Sequence, residues 1–175
     1  MAGAVQLWDP LVRVFHASMI VAFFGNHFFT EEGETVHQWL GYYAAAFVLV
    51  RLFWGLRAEG AAAWRDCWPT PARLREHAAA LLGRRPFHRL GHSPIGALVM
   101  LTMMALMALL AITGFMMEEI DYFWGEEWLE NLHELLANGL LGLVCLHVAA
   151  AIYESFQLRE NLPMSMVTGR RKPPP

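Results

Sequence analysis

The chain has 175 residues, of which 56% are hydrophobic and 17% charged, with a formal net charge of −3. Soluble domains are roughly 45–50% apolar and about one quarter charged, so this balance excludes an ordinary soluble domain and points to the membrane. The slightly acidic total also gives no footing to nucleic acid.

Four stretches are long and apolar enough to cross a hydrocarbon core of ~30 Å, which takes about 20 residues of helix. They are Leu11–Phe29, Val36–Trp54, Ile95–Met117 and a fourth at about 133–155, whose charge-free part is Leu135–Tyr153. The start, "MAGAVQLWDPLVR", lacks a basic region before the apolar run, so the first span reads as retained rather than as a cleaved signal. Arg13 and Arg51 sit near the ends of the first two spans, where long side chains can reach the interface.

The connecting segments differ sharply in charge. The segment 57–93 carries Arg57, Arg65, Arg73, Arg75, Arg84, Arg85 and Arg89, and the tail carries Arg159, Arg170, Arg171 and Lys172. "TEEGET" and "EEIDYFWGEEWLE", joining the first two and last two spans, carry no basic residue. By the positive-inside rule both termini and the 57–93 loop are cytoplasmic, and the two acidic loops face outward. Within the loop, "TPARLREHAAALLG" has Thr70 as cap, Pro71 at the first helical position and Gly83 at the stop, which predicts a short amphipathic helix on the membrane surface. Ser93 and Pro94 start the third span in the same way. The tail from about 168 to 175, "TGRRKPPP", reads as disordered. The expectation is an all-α integral membrane four-helix bundle.

Imidazoles within spans are costly, and here they form a pattern. His133 and His147 are fourteen residues apart, nearly four turns, so both occupy one face of the fourth helix about 21 Å apart along its axis. His16, one turn into the first span, is level with His147 at the inner side. His37, opening the second span, is level with His133 at the outer side. Two bis-imidazole sites stacked across a bilayer suit two b-type haems held between facing helices. Zinc or non-haem iron would gather three or four ligands, with carboxylates or thiolates, at one depth. Neither Cys67 nor Cys145 belongs to a C-x-x-C-H sequence, which rules out covalent haem attachment, and their placement makes a disulfide between them unexpected.

Spacing alone also admits His27, eleven residues after His16, in place of His37. Arg13 and Arg51 are candidate partners for the inner haem's propionates, with snorkelling as the ordinary alternative. His92 is a candidate contact for an inner-haem propionate or a quinone headgroup, while His77 and His88 read as surface residues. Met100, Met103, Met104, Met107, Met116 and Met117 read as adaptable packing. Gly41, Gly114, Gly139 and Gly142 leave room either for haem or for close helix contact.

"WDPLVRVFH", "HQWLGYYAAAFVLVRLFWG", "GHSPIGA", "LHELLANGLLGLVCLHV" and "RENLPMSMVTGRRK" together resemble the bacterial cytochrome b561 family, which is similar to the b-type cytochrome subunits of nickel-iron hydrogenases. The chain departs from the family pattern at Ala17, where tryptophan often follows the first-span histidine, and at the polar pair Asn26 and His27. The resemblance implies two non-covalent haems b, with His16 and His147 ligating the inner iron and His37 and His133 the outer. It also implies electron transfer between the quinone pool and a redox partner, as an electron carrier or an oxidoreductase subunit in the bacterial inner membrane, alone or in a homo- or hetero-oligomer. The acidic outer loops suggest a periplasmic partner such as a c-type cytochrome or an enzyme subunit. A histidine-lined transporter of protons or metal ions, or a structural assembly subunit, are the alternatives; neither calls for imidazoles paired by depth.

Overall fold

A computed structural model describes residues 5–83, 85, 87 and 89–172. The sequence expectations for Arg84, His88 and the last three prolines therefore lie outside the described residues.

Four long helices carry the fold: α1 (Pro10–Phe29), α2 (Thr35–Arg57), α5 (Pro94–Glu119) and α6 (Glu127–Leu158). Each is long and apolar enough to cross a membrane. Their starts are set by local chemistry. Asp9 caps α1 by accepting from the Val12 amide at 2.9 Å, with Pro10 at the first helical position. Ser93 does the same for α5 through the Gly96 amide. Between α2 and α5 lie a 3-10 turn (Gly60–Ala62), a one-turn α3 (Trp64–Cys67) and α4 (Pro71–Leu82). The last is the expected amphipathic helix, capped by Thr70 and stopped at Gly83.

α6 begins at Glu127, well before its apolar stretch, and runs 32 residues. At 1.5 Å per residue that is about 48 Å, longer than a ~30 Å hydrocarbon core. The acidic connection therefore shrinks to Ile120–Glu126, with a 3-10 turn at Asp121–Phe123, and Glu118, Glu119, Glu127 and Glu130 become helical.

The close backbone contacts run α1 to α2, α2 to α5 and α5 to α6. α6 makes no comparably close contact with α1 or α2, although its histidine face looks toward them. The small core of Phe15, Val48 and Met104 lies where α1, α2 and α5 meet. Many large apolar side chains elsewhere on the spans, among them Val21, Phe53, Ile112 and Leu146, face outward as lipid contact requires.

The tail differs from expectation. α7 (Leu162–Thr168) follows α6, and Arg170–Arg171 form a strand, β2, antiparallel to β1 (Val5–Gln6). Both the Leu7 and Trp8 amides donate to the Gly169 carbonyl, and the Trp8 indole donates to Ser165 at 3.2 Å. Arg171 is buried, pairing with Glu160 at 3.1 Å and donating to the Gly91 carbonyl at 3.3 Å. Residues 168–172 are thus held by chain pairing and a buried ion pair that composition does not reveal, and the two termini share one end of the bundle.

Candidate functional site

The arginine-rich end and the acidic end of the bundle each hold one pair of facing imidazoles. His16 on α1 faces His147 on α6 with ring centres 6.4 Å apart, and His37 on α2 faces His133 on α6 at 6.3 Å. Two imidazoles on opposite sides of one metal, with nitrogen–metal bonds of about 2.0–2.1 Å and about 1.1 Å from nitrogen to ring centre, place their centres roughly 6.3 Å apart. Both pairs meet that requirement. Among the described residues no group of three or more His, Cys, Asp or Glu side chains gathers as a zinc-type site would need.

His27 is not in either pair. Its ring stacks on Phe23 at 5.5 Å and meets Phe28 edge-on at 4.7 Å, both on its own helix. His37, and not His27, is thus the ring that faces His133. The neighbouring Asn26 donates to the His37 carbonyl at 3.1 Å, which accounts for one polar residue at that end of α1.

Two threonines that the sequence reading did not single out complete the acidic-end pair. Thr113 Oγ1 lies 2.7 Å from His133 Nδ1, and Thr30 Oγ1 lies 3.1 Å from His37 Nδ1. A threonine in a span is so often occupied by its own backbone that nothing in the sequence marks these two.

At the arginine-rich end, Arg51 does not snorkel. It is 1% exposed, its guanidinium sits 4.0 Å from the centre of the Trp64 ring, and neither terminal nitrogen has a hydrogen-bond partner among the described residues. Gly55 makes this stack possible, since a Cβ there would collide with the Trp64 ring. Arg13 donates one nitrogen to the Val167 carbonyl and keeps a buried Nε without a partner. His92 meets Trp8 edge-on at 4.9 Å and also buries an unpartnered Nδ1. Burial, reinforced by Arg51, the His147 and His16 rings and Arg171, pushes its pKa down to about 4. Buried guanidinium and imidazole nitrogens rarely lack partners, and this convergence fits the carboxylates of a bound group. A cavity of about 280 Å³, lined by Leu7, Gly60, Cys67, Arg89 and His92 among others, lies beside it.

His77, expected at the surface, is 2% exposed. Its ring packs on Phe87 at 4.8 Å, and Nε2 lies 3.8 Å from Glu154, which also accepts from the Ser93 hydroxyl at 2.7 Å. The contact pins α4 to the end of α6, a tertiary arrangement that α4's own periodicity does not disclose. The glycines also resolve in part. A Cβ at Gly41, Gly139 or Gly142 would meet nothing on a neighbouring element within 4 Å, whereas one at Gly114 on α5 would touch the His133 ring of α6 at 3.6 Å, so only Gly114 of the four lies at a helix contact.

Neither a curated protein nor a solved structure matches the chain. The family described as prokaryotic cytochrome b561 matches residues 7–169, nearly the whole length. With four apolar spans and two facing imidazole pairs already described, the chain belongs to the prokaryotic cytochrome b561 family and is a multi-pass membrane b-type cytochrome of electron transfer.

Proposed function

We propose that the chain is a two-haem cytochrome of the bacterial inner membrane, carrying electrons between quinone and a periplasmic redox partner. One observation carries this reading: the imidazole pairs at the two ends have matching ring separations, 6.4 and 6.3 Å. In it His16 and His147 would hold an inner haem iron and His37 and His133 an outer one, and each iron would supply a one-electron couple. The arginines of the 57–93 segment and the tail support a cytoplasmic position for that end and both termini.

The residues of the chain have separable tasks. α6 presents both of its imidazoles on one face, about 21 Å apart along the axis, and thereby sets the distance between centres. Arg51, Arg13 and His92 would hold the inner propionates; their unpartnered buried nitrogens support this assignment. His92 also borders the 280 Å³ cavity, close to the smallest pockets that hold small ligands, which makes that cavity the candidate quinone position. At the outer end Glu31, Glu32, Glu34, Asp121, Glu126, Glu127 and Glu130 are exposed and suit a basic docking face on a c-type cytochrome or enzyme subunit. Glu118 and Glu119 contribute less, since they accept from Gln38 and Tyr42 at 2.8 and 2.7 Å.

A reduced-minus-oxidised visible spectrum of the purified protein, with haem counted per chain, tests the reading. Two b-type haems per chain are expected. None, or one, overturns it.

A further inference from the structure

We propose that Thr30 and Thr113 are positioning residues that fix the protons of both outer imidazoles on Nδ1 and hold the outer centre's reduction potential down. The proposal rests on the two-haem reading and assigns a task to two side chains beyond it. A threonine hydroxyl has one proton. Thr113 is within donating distance of the Leu109 carbonyl at 3.0 Å and the Leu110 carbonyl at 3.1 Å, and Thr30 donates to the Asn26 carbonyl at 3.0 Å. With that proton committed to a carbonyl, each oxygen can only accept from the imidazole it touches. The His133 and His37 rings therefore carry hydrogen on Nδ1 and leave Nε2 as the bare lone pair.

Two consequences follow from the chemistry. Each ring is locked in the tautomer a metal needs, at the orientation giving the 6.3 Å separation. Each ring also becomes a stronger donor, because a hydrogen bond accepted from Nδ1–H leaves more electron density on Nε2, and a stronger donor favours the ferric state. Among the described residues, the side-chain hydrogen bonds to the four paired rings both fall on the outer pair. The device belongs to one centre, so its removal should move one potential and leave the other.

The test is a redox titration of the purified holoprotein followed in the visible bands, comparing Thr113→Val and Thr30→Val, which keep the shape and lose the acceptor, with Thr113→Ser and Thr30→Ser, which keep it. Expected in the valine variants is an upward shift of one midpoint, that of the centre lost on His133→Leu, while the other midpoint stays and the serine variants titrate as wild type. Loss of the outer haem in the valine variants with retention in the serine variants supports the same role. Unchanged midpoints in valine variants that hold both haems overturn the proposal, as do equal effects of valine and serine. Absence of two b-type centres in the wild type would overturn the two-haem reading itself, a result separable from these.

Discussion

The Arg51 guanidinium lies 4.0 Å from the centre of the Trp64 ring, a charge sealed inside the bundle under an indole. The Trp64 Nε1–H donates to the Leu52 carbonyl at 2.9 Å, which anchors the ring to α2. Stacking on an aromatic face offsets part of the cost of burying a cation, but it satisfies none of the guanidinium's N–H donors. An anion held against those donors would offset the rest of that cost.

Replacing Arg51 by Met should then separate two quantities. The apoprotein should gain stability, since an apolar side chain of similar length removes a buried unpaired charge. Haem retention at the inner pair should weaken by about 1.5–3 kcal/mol, the worth of a hydrogen bond to a charged group and roughly ten- to a hundredfold in affinity. Transfer of haem to an apo-globin acceptor reads the second quantity directly. Faster loss from one of two sites is the expected result, and unchanged loss would show that Arg51 serves packing alone.

The histidine pairs predict a pattern of losses rather than a single loss. His16→Leu and His147→Leu should each halve the haem content, and so should His37→Leu and His133→Leu. The first two should remove the same spectral component and the last two the other. His27→Leu should keep both, because its ring is stacked within its own helix. Haem counted per chain in the five variants checks this, and loss of the acidic-end component on replacing His27 would break the pairing.

Docking of α4 should depend on pH. Burial holds the His77 pKa below its ordinary value of 6.5, with Glu154 partly opposing the shift. The folded state therefore binds fewer protons than the unfolded state around and below that pH. The contribution of the neutral ring is intact above about pH 6.5 and is lost as pH falls from there through the lowered folded value. Amide exchange over Pro71–Leu82, corrected for its intrinsic pH dependence, should accelerate between pH 7.5 and 5.5 by more than the exchange of the spans. In a His77→Gln protein the extra acceleration should disappear.

The clasp between the termini makes a fourth prediction. Arg171 and Glu160 side chains are 8% and 11% exposed, and the Lys172 amide also donates to Glu160 at 2.7 Å. Removing the guanidinium alone, as in Arg171→Met, leaves a nearly buried carboxylate unpaired and should cost about 3–5 kcal/mol. Adding Glu160→Gln should recover much of this loss. Thermal melting of the two variants in the same detergent measures both effects.

What could be read from the sequence was whatever lies within one helix. The caps at Thr70 and Ser93, the stop at Gly83 and the shared face of His133 and His147 all follow from spacing along a single element. Chain direction through an even number of spans then matched His16 with His147 and His37 with His133 by depth, and the rings do face one another. The unread parts require contacts between elements distant in sequence. His77 is buried between Phe87 and Glu154, and the Arg170–Arg171 strand pairs with Val5–Gln6 from the other end of the chain. Thr30 and Thr113 escaped for the same reason: their backbone bonds are local and ordinary, and the imidazoles they touch belong to other helices.

α6 packs closest along α5, yet its histidines face the other two spans, and this bears on how the bundle is held together. Each imidazole pair bridges from α6 to a helix that α6 packs against less closely. On the two-haem reading, a group held between the facing rings would tie α6 to α1 through His16 and His147 and to α2 through His37 and His133, so its binding would also stabilise the bundle.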